Sequence, residues 1–196
     1  MGTRQQEKSE MTRNELKESA KKLFLTKGYE ETSIQDIADA AGYSVGSVYR
    51  QWKSKQQLFM EIWDEYVSCF IRESVINAPE APGNEEMIDY LLKRSNEFAE
   101  MDMSKKLYGT SMTLSAAYEY EGLADWAYKY QQMLYLFLKQ VSSTENEEKL
   151  KTVASIMHCV LNADAMKAAE VKSPRYEFEQ RSLRECLLAI VNTCRY

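Results

Sequence analysis

The sequence has few residues that interrupt regular structure. Seven glycines and three prolines among 196 residues supply little material for the turns of a many-stranded sheet, which disfavours an all-β fold. One histidine, His158, and four scattered cysteines without a CxxC pair form neither a zinc pattern nor a redox dithiol. No apolar run approaches the roughly 18 residues of a membrane span, and residues 1–11 lack a signal peptide's apolar stretch. We therefore expect a soluble, cytoplasmic protein with free thiols and without a metal or cofactor.

Charge is distributed unequally along the chain. The whole sequence has a formal charge of -5, from 25 basic and 30 acidic residues. Residues 1–55 contain ten Lys/Arg and eight Asp/Glu, so the remainder holds 15 against 22. An acidic protein would be a poor ligand for nucleic acid, because phosphate contacts need cations. The mildly basic N-terminal segment removes that objection for the first 55 residues only.

Apolar residues recur at helical spacing through most of the chain. The pattern predicts an all-α fold of about nine helices, at 12–27, 34–41, 45–51, 55–77, 85–100, 104–117, 120–142, 146–169 and 175–193. Glycines at helix ends and hydroxyl residues at helix starts support these boundaries. The predicted C-caps are Gly28 and Gly42, and the predicted N-caps are Ser33 with Asp36, Ser44, Ser54, Thr144 with Glu147, and Ser173 with Pro174.

The two short helices at 34–41 and 45–51 have the spacing of a helix-turn-helix. Small Ala38 suits their close approach, and the linking sequence is Ala-Gly-Tyr-Ser. In this motif the second helix enters the major groove of DNA. With Val48 directed inward, the residues left outward or flanking are Val45, Gly46, Ser47, Tyr49 and Arg50. Gly46 lowers helix propensity but permits close approach to DNA.

The surrounding residues make the resemblance more specific. The spaced run is Thr32-Ser33-Ile34-x-Asp36-Ile37-Ala38-x-x-Ala41-Gly42-x-Ser44-x-Gly46-Ser47-Val48-Tyr49-x-x-Trp52-x-Ser54-Lys55-x-x-Leu58. It resembles the N-terminal signature of TetR-family transcriptional regulators and covers about residues 10–60. The resemblance implies a helix-turn-helix DNA-binding domain at 1–55 and a helical effector-binding and dimerisation domain at 56–196.

The resemblance also implies roles for individual residues in the first domain. Thr32, Ser33 and Ser44 would meet phosphate at helix N-termini, which favour anions. Tyr49 and Lys55 occupy the family's backbone-contact positions, and Gly46 would allow close approach. Val45, Ser47 and Arg50 are the candidates for contacts with base edges, since a guanidinium fork suits guanine and a methyl surface suits thymine.

Residues 56–196, which hold the excess of acidic residues and are called the body below, are rich in aromatic residues and methionine. Most of these side chains belong to the core, but a bundle pocket of this composition suits a flat or flexible lipophilic ligand. Nearby acids at Asp102, Glu119, Glu121 and Asp125 add the hypothesis that this ligand is cationic. The candidate pocket residues are Tyr66, Phe70, Tyr90, Phe98, Tyr108, Met112, Trp126, Tyr130, Met133, Met157 and Leu161.

The last two predicted helices also have apolar stripes, and in the family these helices form a four-helix dimer interface. The candidate dimerisation residues are Val153, Met157, Val160, Leu183, Cys186, Leu187, Ile190 and Val191.

Together these observations predict a homodimeric repressor that binds a palindromic double-stranded DNA operator and is released by a lipophilic small molecule. The alternative keeps the DNA-binding domain but makes the body a protein-interaction module without a small effector. An enzyme is disfavoured, because the sequence shows no nucleophile–base arrangement and no phosphate-binding loop.

Overall fold

The structure is a computed structural model that describes residues 4–117, 121–165 and 179–195. Every regular element in these ranges is helical, which confirms the predicted all-α fold. The elements are α1 (Arg4–Lys27), α2 (Ile34–Ala41), α3 (Val45–Gln51), α4 (Lys55–Ile76), α5 (Asn84–Glu100), α6 (Asp102–Ala117), α7 (Glu121–Val141), α8 (Glu147–Ala165), α9 (Gln180–Asn192) and a 3-10 turn at Thr193–Arg195. None of the helices in the described ranges has a stretch both long and apolar enough to cross a bilayer.

The predicted caps of the helix-turn-helix are largely confirmed. The Ser33 hydroxyl accepts from the Asp36 N–H while the Asp36 carboxylate accepts from the Ser33 N–H, a complete capping box. Gly42 ends α2 in the left-handed region at φ +74°. Ser44 precedes α3, but its hydroxyl makes no cap bond to the helix backbone. The side-chain cap predicted for Ser44 is therefore wrong.

Two predicted helix starts in the body have different outcomes. The capping box of Thr144 with Glu147 is wrong, because α8 begins at Glu147 and the Asn146 side chain accepts from the Lys149 N–H at 3.0 Å. Ser173 and Pro174 lie outside the described residues. At the described start of α9 the Glu179 carboxylate accepts from the N–H groups of the first turn. α1 begins eight residues before the predicted position 12, at Arg4, where the sequence is polar and lacks an apolar stripe.

The buried side chains form two clusters. The first joins α1–α4 to α6 around residues such as Phe24, Val48, Phe59 and Leu107. The second joins α5, α7, α8 and α9. Because α4 contributes Leu58 through Val67 to the first cluster, the core of the N-terminal region continues past residue 55 along the same helix. α4 therefore connects the helix-turn-helix directly to the body.

Candidate nucleic-acid interface

α2 and α3 form a compact helix-turn-helix. Ala38 and Val48 are fully buried in the first cluster, as expected for the closely approaching faces. The turn is held by the left-handed Gly42 and by the Tyr43 N–H, which donates to the Ala38 carbonyl at 2.9 Å. A non-glycine residue in the left-handed region is strained, so Gly42 sets the angle at which α3 leaves α2.

The outer face of α3 displays a short row of polar and aromatic groups. Tyr49 is 55% exposed, and Ser44, Gly46 and Arg50 are also exposed, while Val45 is half-buried against the first cluster. A side chain at Gly46 would meet only the Ser44 hydroxyl, at 3.8 Å. Packing within the chain therefore does not require glycine at this position.

Ser47 occupies a different position from the one expected. Its side chain is buried, and its Oγ accepts from the Arg50 guanidinium at 2.9 Å while lying 3.0 Å from the Ser44 Oγ. The reason is helical spacing, since positions three apart share one face and Ser47 lies beneath Arg50. Ser47 is thus placed to orient Arg50 rather than to reach a base edge itself.

Thr32 and Lys55 are engaged inside the chain instead of facing outward for phosphate. The buried Thr32 hydroxyl donates to the Gly28 carbonyl at 2.6 Å. The Lys55 ammonium donates to the carbonyls of Tyr29 and Thr32 at 2.8 and 2.9 Å, and it lies 4.2 Å from the Tyr29 ring centroid. A loop that presents several carbonyls needs a donor to satisfy them. In the free protein these two residues therefore stabilise the loop before α2.

The N-terminus of α2 already holds an anion. Hydrogen bonds from Ser33, together with an ion pair to Lys27 at 3.1 Å, lower the pKa of Asp36 to about 2. A carboxylate at this position interacts favourably with the helix dipole. Ser33 remains exposed, but a phosphate approaching it would meet a negative charge, so the attraction expected there is weaker than the dipole alone suggests.

A polar network that the sequence analysis missed joins α1, α3 and α4. The Glu61 carboxylate accepts from both the Nε and Nη2 of Arg13, and from the Trp52 indole at 2.7 Å. Arg13 also donates to the Gln51 carbonyl at 3.2 Å, at the last residue of α3. Lys17 lies 3.4 Å from the same Glu61 carboxylate and also pairs with Glu65. The missed signal was the equal spacing of four residues between the two cations on α1 and between the two acids on α4.

Comparison with known proteins identifies this arrangement. Residues 16–62 match the family model for bacterial regulatory proteins of the tetR family. This segment of the chain is therefore similar to the corresponding segment of tetR-family regulatory proteins. The matched segment covers α2 and α3, whose geometry is described above, and most of the first cluster.

Curated relatives are similar to this chain over only part of their length. The HTH-type transcriptional regulator AcrR of Shigella flexneri is 36% identical over 64 residues, which is 33% of this chain and 30% of the relative. The aligned segments of the first curated relatives span less than half of those proteins.

Solved structures share the fold over nearly the whole chain. A TetR transcription regulator from Haloarcula marismortui superposes with a TM-score of 0.64 at 16% identity, covering 94% of this chain and 98% of that one. The regulator FadR from Bacillus subtilis, solved with stearoyl-CoA, gives 0.61 at 13% identity, covering 93% of this chain and 98% of that one. At this level of identity the likeness establishes the fold alone.

The body of the chain contains a small cavity of about 30 Å³. Five of its lining residues were predicted from the sequence: Phe70, Phe98, Tyr108, Tyr130 and Leu161. Sequence reasoning missed the other five, which are Trp63, Val67, Ser95, His158 and Asn162. Trp63 and His158 carry no signal in the sequence that separates a pocket residue from an ordinary core residue.

The remaining predicted pocket residues lie elsewhere. Tyr66 stacks on Phe98 and hydrogen-bonds Ser104 at 2.6 Å, and Tyr90 donates to the Ser74 carbonyl at 2.5 Å. Three other predicted pocket residues occupy buried or partly buried core positions outside the cavity: Met112, Met133 and Met157. The Trp126 side chain lies outside the described part of the structure.

Most of the predicted dimerisation residues are buried within their own chain. The stripe of Val153, Met157, Leu183, Leu187 and Val191 belongs to the second cluster, so these side chains pack inside the subunit, and their role in a subunit contact stays a prediction. Both α8 and α9 bury these faces in the same cluster as α5 and α7, which satisfies their apolar stripes inside the subunit.

A different face of α8 and α9 is available for contact between subunits. Cys186 is exposed, and Val160 and Ile190 are half-buried. The described residues of the two helices also expose small or apolar side chains at Ile156, Cys159 and Ala189, with Ile156 being 44% exposed.

Proposed function

We propose that this protein is a dimeric DNA-binding transcriptional repressor whose operator affinity is reduced by a lipophilic small molecule. The observation that carries the proposal is the outer face of α3, where exposed Tyr49 and Arg50 flank the small exposed Gly46. Such a face can enter a major groove and place a guanidinium at base edges. A curated relative that supports the proposal carries the name "Probable acrEF/envCD operon repressor" in Escherichia coli and is 44% identical over 52 residues, 26% of this chain.

In a two-fold dimer, the recognition helix α3 of one subunit would be paired with α3 of the other. In helix-turn-helix dimers the two recognition helices lie roughly 34–36 Å apart and read successive major grooves. The exposed faces of α8 and α9, including Ile156 and Cys186, are the surfaces we assign to the subunit contact. The operator is then a double-stranded palindrome, because its half-sites follow the protein's symmetry.

α4 contacts both the cavity and the residues that hold the DNA-binding face, so it can transmit a change from one to the other. Near its start Lys55 holds the loop before α2, and Glu61 then holds Trp52 and Arg13 beside the end of α3. Two residues later Trp63 lines the cavity. A ligand that favours another position of α4 would therefore change the geometry of both contacts, and operator DNA must weaken ligand binding by the same factor.

The small cavity favours a second candidate for the body. A void of about 30 Å³ has room for about one water, as expected if the body serves only as a protein-interaction module. The two candidates differ in one measurement: direct binding of a lipophilic compound to the free protein, which the interaction module does not require.

DNA binding is tested by selecting tight-binding duplexes from a random library and measuring affinity by fluorescence anisotropy. Arg50→Met should weaken binding to the selected duplex by about ten- to a hundredfold, the effect of losing one bidentate base contact. Arg72→Met is the matched control, because Arg72 is exposed on α4 outside the helix-turn-helix. Equal affinities of the two variants, or no enrichment of any duplex, would refute the proposed recognition face.

A further inference from the structure

The described lining of the cavity in the body is uncharged. It includes the aromatic rings of Phe70, Phe98 and Tyr108 with the aliphatic Val67 and Leu161, and none of the described lining residues is a carboxylate, lysine or arginine. Burial lowers the pKa of His158, which keeps that imidazole neutral at physiological pH. A charged ligand would lose its hydration here without gaining an opposite charge from these residues, which is strongly unfavourable.

The Trp63 indole N–H is a donor in this wall that the described residues leave unused. The Trp63 side chain is almost fully buried and lines the cavity, and its indole N–H has no acceptor among the described residues. Other polar groups nearby are already bonded: the Tyr108 hydroxyl donates to Asn162, and the Ser95 hydroxyl donates to the Leu161 carbonyl at 3.3 Å. A buried donor without an acceptor is costly, so this N–H is the group that a bound molecule would satisfy.

The indole is held rigidly by its neighbours. Phe59 stacks on it at 6.5 Å with the planes 5° apart, while Tyr108 and Phe98 meet it edge-on at 70° and 73°. Aromatic pairs in these arrangements favour fixed orientations. The direction of the N–H is therefore set before any ligand arrives, which reduces the entropy lost on binding.

We propose that this cavity binds an uncharged aromatic compound whose single hydrogen-bond acceptor is held by the Trp63 indole N–H. The inference rests on the effector-binding half of the proposed function and names the chemical class of that effector. It differs from the cationic ligand expected from the sequence. Of the acids behind that expectation, Asp102 is exposed and does not line the cavity, and the side chains of Glu119, Glu121 and Asp125 lie outside the described residues.

The ligand must enlarge the cavity, because about 30 Å³ holds only a water. Phe70 and Phe98 are in contact at 4.8 Å, and Arg94 covers the Phe70 ring at 4.2 Å. Arg94 also forms an ion pair with Glu97 at 2.5 Å and donates to the Ser74 hydroxyl at 2.9 Å. Outward movement of Phe70 would open the cavity while leaving Phe59, Phe98 and Tyr108 in contact with the Trp63 indole.

Four planar phenyl compounds of similar shape test the proposal by calorimetry on the free wild-type protein without DNA. They are acetophenone, α-methylstyrene, benzoate and benzamidinium, which differ in acceptor and charge. We expect acetophenone to bind about fivefold tighter than α-methylstyrene, since one net hydrogen bond has that effect, and the two ions to bind more weakly than either. Tighter binding of either ion, or no binding of any compound, would overturn the proposal.

Two variants separate the hydrogen bond from the shape of the cavity. Trp63→Phe removes the N–H and should bring the affinity ratio of acetophenone to α-methylstyrene close to one. Phe70→Leu changes the wall without changing the donor, so both affinities should change together and the ratio should persist. An unchanged ratio in Trp63→Phe would refute the assigned donor.

A measurement on the wild type keeps the test independent of how well Trp63→Phe folds. In a ¹⁵N–¹H spectrum of the three tryptophan indoles, acetophenone should shift the Trp63 N–H downfield and α-methylstyrene should not; equal shifts contradict the proposal. Because no DNA is present, failure here leaves the DNA-binding proposal standing. Loss of selective DNA binding would in turn leave the ligand result intact.

Discussion

Replacing Glu61 by glutamine should destabilise the protein by about 2 kcal/mol. The Glu61 side chain is 24% exposed and accepts hydrogen bonds from Arg13 and from the Trp52 indole. Hydrogen bonds to a charged group contribute about 1.5–3 kcal/mol each, and a partly buried cation left without its anion adds to the loss. Glutamine retains one acceptor oxygen but places an amide donor against the guanidinium, so we take the lower part of that range.

The matched control is Glu65→Gln. Glu65 lies one turn further along α4, is 55% exposed and pairs with Lys17. Exposed ion pairs contribute about 0.2–1 kcal/mol, so this variant should remain close to wild type. Urea unfolding followed by circular dichroism measures both. In thermal unfolding, a loss of 2 kcal/mol corresponds to a melting temperature lower by about 4–8 °C for a protein of this size.

The pH dependence supplies a second signature of the same network. Burial alone would raise the pKa of Glu61, but hydrogen bonds from Trp52 and Arg13 outweigh it and leave the pKa below its ordinary value. A lowered pKa in the folded state stabilises the protein above the unfolded pKa, and this stabilisation is lost as pH falls through the folded pKa. The difference between wild type and Glu61→Gln should therefore shrink below about pH 4.

Glu61→Gln and Glu65→Gln unfolding within about 0.5 kcal/mol of each other, the usual range of surface substitutions, would contradict the assigned role of Glu61. An equal Glu61→Gln difference at about pH 3 and about pH 7 would contradict it as well, because the carboxylate charge would then have no role in stability.

Two further predictions concern the turn and the subunit contact. Gly42→Ala should lower the free energy of unfolding by about 1–2 kcal/mol, since Gly42 has φ +74° and an L residue is strained there. Gly46→Ala, within α3 and with only the Ser44 hydroxyl at 3.8 Å, should not destabilise the protein in the same urea titration, because alanine favours a helix more than glycine. Ile156→Glu should shift the protein towards monomer in sedimentation velocity, because a charge on the proposed contact would be desolvated. The control Val75→Glu changes another exposed position and should sediment as wild type. A dimer that survives Ile156→Glu would place the subunit contact elsewhere.

Local sequence was sufficient for most helix boundaries and for the helix-turn-helix. Ser33 with Asp36, Gly28 and Gly42 act at the ends of α1 and α2 as predicted, because caps depend on residues within a few positions of each other. Ser44 shows the limit of that rule. Its hydroxyl faces Ser47 and not a backbone N–H. The hydrogen-bond partner of this hydroxyl depends on how α3 packs against the other helices of the first cluster.

The candidate pocket was only half predictable because an aromatic residue in a helical stripe has two possible surroundings. Phe70 and Tyr130 line the cavity, whereas Met133 and Met157 occupy the same kind of pattern but pack in the second cluster. Helical period identifies which side chains turn inward. It does not tell whether the space they meet is filled by another helix.

The sequence by itself determined the all-α fold, the two short helices and their glycine turn, since these follow from apolar spacing and the conformational preferences of neighbouring residues. Tertiary structure alone decided which charged and apolar groups meet across the chain. It placed Lys55 over the loop before α2, Arg13 against Glu61 and the stripes of α8 and α9 inside the subunit. Their partners are distant in sequence, and an apolar stripe packs equally well against its own chain or a second one, so three-dimensional packing had to decide.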